Sequence, residues 1–121
     1  MKGEAPMITY YSFGRMEING DSYNEDLIIK EKQVFPHWWR KRGHNIELSD
    51  FDLKRQLSPD LEIVVIGTGY HGLVKLESDF KEYLGKNNIK LEAYPTSEAV
   101  NVYNKYLGEG KKVLGAFHLT C

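Results

Sequence analysis

The residues best suited to chemistry fall in three stretches, each directly after an apolar run. The first is Gly67-Thr68-Gly69-Tyr70-His71-Gly72, which follows Ile63 to Ile66. Three glycines would let backbone N–H groups approach a ligand closely, and α/β domains bind ligands beyond the carboxyl ends of their strands. The glycine spacing is not that of a dinucleotide fingerprint, and no Gly-Lys-Ser/Thr follows to make a P-loop. The second is Pro95-Thr96, where a strand gives way to a helix whose free N–H groups and positive dipole end would suit an anion. The third is the ending His118-Leu119-Thr120-Cys121, in which a thiol and an imidazole lie close in sequence. Each has a plainer reading: glycines serve tight turns, and Thr96 is the kind of residue that simply caps a helix. A thiol activated by His118 would need a geometry that adjacency does not supply, and the neighbouring terminal carboxylate would disfavour the thiolate. Gly67, Thr68, Gly69, His71, Thr96 and His118 are therefore candidate ligand contacts, with no catalytic residue assigned. His44, His71, His118 and Cys121 have no recognised zinc-ligand spacing, so no metal is expected.

A different chemistry is suggested by Phe35-Pro36-His37-Trp38-Trp39-Arg40-Lys41-Arg42-Gly43-His44, the one local cluster of cations, interleaved with aromatics. Aromatic faces beside cations suit single-stranded nucleic acid or an anionic partner. The alternative is that the indoles pack inward and the cations are solvated. Trp38, Trp39 and Arg40 are the candidate partner-binding residues. Nucleic acid is disfavoured because 16 Lys and Arg against 17 Asp and Glu give a formal charge of −1, with no global field to steer the chain onto phosphates.

The elements that must position these residues can be read in order. Ile8 to Phe13 is a strand broken by Gly14; Met16 to Ile18 continues extended to the turn Asn19-Gly20-Asp21. Asp26 to Lys30 is a third strand, so the N-terminal third reads as a β-meander or hairpin set. Ser49 is a plausible N-cap for a helix ending near Leu57, before Ser58-Pro59. Leu61 to Ile66 is a strand buried on both faces, because its apolar run is continuous. Ser78 opens a helix with Phe80, Tyr83 and Leu84 on one face, and Ile89 to Tyr94 is a strand. Thr96 caps a helix carrying Ala99, Val100, Tyr103 and Leu107 as its apolar stripe, ended by Gly108 and Gly110. Val113 to Leu119 is the last strand. This alternation calls for a sheet covered by helices.

The 121 residues suit a single domain spanning 1–121, and 41% apolar with 27% charged residues is an ordinary globular balance. One cysteine cannot make an intrachain disulfide, no signal or transit pattern opens the sequence, and no run is long enough for a membrane span. The expected location is the cytoplasm, with no membrane association.

Taken together, these residues resemble the Mth-type domain family, which includes the adipogenesis-associated protein and, more distantly, the mitochondrial complex I assembly factor three, besides archaeal and bacterial members. The resemblance is carried by Ser12-Phe13-Gly14-Arg15-Met16, by Ile66-Gly67-Thr68-Gly69, by Thr96-x-x-Ala99-Val100-x-x-Tyr103-Asn104, by Gly110-x-x-Val113 and by Phe117-His118-Leu119-Thr120-Cys121. It implies a three-layer α/β fold: a central mixed sheet, helices packed on it, and a small additional antiparallel β-layer from the N-terminal strands. It implies no reaction and no cofactor. Its better-known members look like assembly or regulatory proteins, so the leading expectation is a non-catalytic factor that binds a protein partner. The alternative is an enzyme or sensor holding a small anion between the Gly67 to Gly72 loop, Thr96 and His118. Open edges in the N-terminal strands leave a homo-oligomer possible.

Overall fold

The computed structural model describes residues 6–120. Among the described residues, ten strands and two α-helices make a mixed α/β fold. Strands β1 (Ile8–Ser12), β2 (Arg15–Ile18) and β3 (Asp21–Tyr23) form an antiparallel sheet in the order β1-β2-β3. The β2–β3 turn places Asn19 and Gly20 at φ of 49° and 92°, the paired positive angles that a tight hairpin needs. The meander expectation holds for these strands, but β3 starts at Asp21, five residues before the strand expected at Asp26. That later segment, β4 (Leu27–Lys30), leaves the meander and joins the central sheet, because all four of its residues are apolar or paired and buried.

The central sheet has the order β5-β4-β10-β7-β9, with β5 at Gln33–Phe35, β7 at Ile63–Thr68, β9 at Lys90–Tyr94 and β10 at Val113–His118. Strand β7 is parallel to both neighbours, while β10 is antiparallel to β4. Every residue of β7 and β10 is buried, which is why both read as continuous apolar runs. One sheet face packs Ile28, Val64, Ile66 and Leu114 on Phe80 and Leu84 of α1 (Ser78–Lys86), together with Trp38 and Phe51. The opposite face packs Leu27, Ile29, Val65 and Phe117 on Ala99, Val100 and Tyr103 of α2 (Thr96–Gly108), together with Ile8, Met16 and Ile18 of the meander. Between β5 and β7 lie β6 (Asn45–Ile46), which pairs in parallel with β8 (Lys75–Leu76), and a 3₁₀ turn at Leu48–Asp50.

Two local expectations are corrected. No helix runs from Ser49 to Leu57. Glu47 and Asp50 form a reciprocal capping box around the short 3₁₀ turn, and the Asp52 carboxylate accepts the N–H groups of Lys54 and Arg55. Side-chain acceptors so close to the backbone favour turns over a continuing helix. Thr96 is the first residue of α2 rather than its cap; Pro95 stands at the N-cap position.

Asn104 shows how the helix holds the meander. Its amide donates to Ile8 O at 2.8 Å and accepts from Ile8 N at 3.0 Å, so one side chain satisfies both backbone groups of an edge-strand residue.

Candidate functional site

Three parallel strands, β9, β7 and β10, are adjacent and end together. Gly67, Thr68 and Gly69, then Thr96, then His118 therefore converge at one end of the sheet. What they do there is bond to one another. The buried Thr96 hydroxyl donates to His118 O at 2.7 Å and accepts from Gly69 N at 2.9 Å, while Thr96 N donates to Gly69 O at 2.9 Å. A Cβ on Gly67 would lie 2.8 Å from both the Phe117 ring and Thr96 Oγ1, so glycine is required for this close approach. Gly69 sits at φ 109°, a conformation other residues rarely adopt. His71 lies apart: its ring is exposed and packs edge-on against Tyr70 at 5.0 Å. Cys121 lies outside the described residues. Among those residues no three His, Cys, Asp or Glu side chains gather closely enough to hold a metal ion.

The side chain of His118 turns away from Thr96, toward Asp26. Strand register dictates this: Phe117 of β10 opposes Leu27 of β4, so the next residues outward face each other. Asp26 Oδ2 takes a short hydrogen bond from His118 Nδ1 and a second from Arg40 Nη1 at 2.7 Å. Its Oδ1 accepts from Leu119 N at 2.8 Å, and its backbone O accepts from Trp38 N at 2.8 Å. One aspartate thus ties together the end of β10, the Arg40 segment and the Trp38 segment. Burial pushes the Asp26 carboxyl up, but the bonds from His118, Leu119 N–H and Arg40 outweigh it and hold it below its ordinary range. Because the carboxylate is ionised, His118 donates its Nδ1 proton, leaving Nε2 buried without a hydrogen-bond partner among the described residues.

Arg40 is held through its terminal nitrogens, while its Nε is buried without a hydrogen-bond partner among the described residues. Its side chain is 5% exposed, Nη2 donates to Gly43 O at 2.8 Å and lies 2.9 Å from His118 Nδ1, and its guanidinium sits 5.0 Å over the Trp38 ring. Trp38 is itself buried, at 9% exposure, with its indole N–H donated to Asp50 O at 2.8 Å. Trp39 points the other way and is 81% exposed. The adjacent tryptophans therefore divide, one into the core and one into solvent. Arg42 is paired with Glu47 at 3.0 Å.

Trp38, Trp39 and Arg40 line an open groove of about 530 Å³ with Asn24, Glu25, Asp26, Gly43, Leu119 and Thr120. Asn24 and Glu25 also line a second depression of about 400 Å³, shared with Tyr23, Pro36 and His37. Aromatic side chains also lie near Leu119 and Thr120. Gly14 N donates to Leu119 O and Tyr70 N to Thr120 O, which sets Phe13 edge-on to Tyr70 at 5.5 Å beside these two residues. Tyr11 donates its hydroxyl to Leu119 O at 2.9 Å, and burial pushes this phenol up to about 12. Asp26 and Glu25, which line the groove with Trp39 and Arg40, were not among the residues expected there. The one available signal was a pair of acids immediately before a buried apolar strand.

A mixed sheet with two helices, closed at one end by an Asp–His–Arg cluster beside a groove, defines a small α/β domain class. Residues 8–118 match the model of a family described as protein of unknown function (DUF498/DUF598), and the chain belongs to that family, the Mth938-type domains. Solved structures agree on the fold. A conserved protein of Pyrococcus horikoshii is 22% identical, with a TM-score of 0.77 over 94% of this chain and 98% of that one. A Bordetella parapertussis protein is 21% identical, with a TM-score of 0.81 over 98% and 99%. A Bordetella pertussis protein described as a Mth938-like domain is 21% identical, with a TM-score of 0.69 over 94% and 85%. No helix among the described residues is long and apolar enough to cross a membrane.

Proposed function

We propose that this chain is a non-catalytic binding domain that seats a protein partner in the groove between residues 24–26, 38–40 and 119–120. The observation that carries the reading is Trp39, an indole 81% exposed at the edge of a concave surface. Large aromatic side chains left in water at a groove are the residues that dominate protein interfaces once buried. Phe13 and Tyr70, each about half exposed, add apolar surface beside Leu119 and Thr120. The assembly-type members of the resembled family point the same way, by analogy alone.

The anion-binding alternative has weaker support. The Thr96 hydroxyl and N–H already have protein partners, and the His118 ring is engaged with Asp26. Nucleic-acid binding is likewise weakly supported, since Arg40 and Arg42 are each neutralised by a carboxylate.

The test is a photo-crosslinking amino acid placed at position 39 and, as a control, at the exposed position 86 on α1. Adducts of defined mass from 39 and none from 86 are expected. Equal labelling from both positions, or none, would overturn the reading.

A further inference from the structure

The groove contains its own example of cation recognition. Arg40 lies with its guanidinium over the Trp38 ring at 5.0 Å and its Nη1 on the Asp26 carboxylate at 2.7 Å. Each member of that cage has a chain neighbour of the same chemistry one step outward: Trp39 beside Trp38, and Glu25 beside Asp26. The two segments are tied at this point by Trp38 N donating to Asp26 O. The outer pair lines the same groove, whose lining among the described residues holds no cation other than Arg40. Glu25 is half exposed and carries one described contact, from Oε1 to the exposed His37 ring at 2.5 Å, so Oε2 is free to accept.

Resting on the binding reading above, we infer that Trp39 and Glu25 form a receptor for an arginine side chain of an extended partner segment. An indole face attracts a guanidinium through its ring quadrupole, and the carboxylate adds a charge-assisted hydrogen bond. The inner cage is a precedent in the same groove for that pairing of groups. The groove's charges favour it as well. Arg40 is cancelled by Asp26, which leaves Glu25 as the exposed full charge on the lining, and Arg42 in the next turn is held by Glu47. Arginine fits better than lysine because its planar fork can stack on the ring and still reach the carboxylate edge-on.

The experiment uses the full chain and a Gly-Arg-Gly peptide blocked at both ends, with matched peptides carrying citrulline or lysine. The indole N–H resonances of Trp38 and Trp39 are followed by NMR and assigned with Trp39→Phe. The arginine peptide should shift the Trp39 resonance saturably, with citrulline inert and lysine weaker. Glu25→Gln should raise the half-saturation concentration about tenfold with the spectrum otherwise unchanged. Equal shifts with citrulline, no shift at all, or an unaltered Glu25→Gln titration would overturn the inference. Position 39 could still crosslink a partner in any of those cases, so the broader reading would stand or fall separately.

Discussion

Asp26 and His118 are ninety-two residues apart in sequence, yet they share a short hydrogen bond between Oδ2 and Nδ1 at the end of the central sheet. Arg40 completes the cluster, and all three side chains are largely out of water. Removing one partner of a buried charge pair leaves the other uncompensated. Asp26→Asn should therefore destabilise the fold by about 3 kcal/mol, read from urea unfolding. A second substitution, Arg40→Met, should restore much of the loss in the double variant, because it removes the stranded charge. If Asp26→Asn unfolded at the wild-type midpoint, the cluster would be ornamental.

The same carboxylate sets the acid limit. Its ionised form is favoured in the folded state, so the folded carboxyl titrates below its unfolded counterpart. The stability it contributes is fully present above the ordinary Asp range near pH 4. It is lost as the pH falls through the lower folded value, where the unfolded chain binds the proton more readily. Melting temperature measured from pH 6 down to pH 2 should fall less steeply in Asp26→Asn than in the wild type.

Tyr11 works at the other end of the scale. Burial raises its phenol to about 12, so the folded state keeps a proton that the unfolded chain loses near pH 10. Stability should decline between about pH 10 and 12, and Tyr11→Phe should flatten that limb. The same substitution forfeits the bond to Leu119 O, at about 1 kcal/mol near neutrality. Absorbance at 295 nm during an alkaline titration, compared between the two proteins, isolates this phenol.

Thr96 holds two strand ends with one hydroxyl. Thr96→Val keeps the shape but strands Gly69 N and His118 O in a buried site, at a cost of about 2 kcal/mol. Thr96→Ser retains both bonds and should stay close to wild type. Similar losses for both variants would mean that packing, not bonding, is what matters at this position.

These outcomes turn on features of unequal visibility in the sequence. The strand over Ile63 to Ile66 announces itself, since only a strand covered on both faces carries so unbroken an apolar run. The convergence of Gly67, Thr96 and His118 follows from alternating strands and helices, and the adjacent parallel strands bear it out. Asp26 was invisible because its role depends on β4 pairing antiparallel with β10, a contact between distant segments that no local pattern encodes. The region 47–57 misled for the opposite reason. Its helix signals are real, but Asp52 and Gln56 spend their side chains on nearby backbone N–H groups and curl the chain into turns. Neither could the pattern say which of two consecutive tryptophans faces out.

Trp39 separates a binding role from a structural one. A side chain so exposed makes little contribution to folding, so Trp39→Ala should shift stability by no more than about 0.5 kcal/mol. Trp38→Ala, by contrast, should cost about 3 kcal/mol, because it empties a core position that packs on Phe51 at 5.3 Å and donates to Asp50 O. Partner association should show the reverse order once both proteins are compared under conditions where each is folded: Trp39→Ala loses most of it, as anchor truncation at an interface commonly costs 2 kcal/mol or more, roughly a thirtyfold loss in affinity. Calorimetric unfolding of the two variants supplies the first comparison, and capture by an immobilised partner identified through the position-39 crosslink supplies the second. Were Trp39→Ala to melt well below wild type, the indole would be part of the fold, and the groove would lose its anchor.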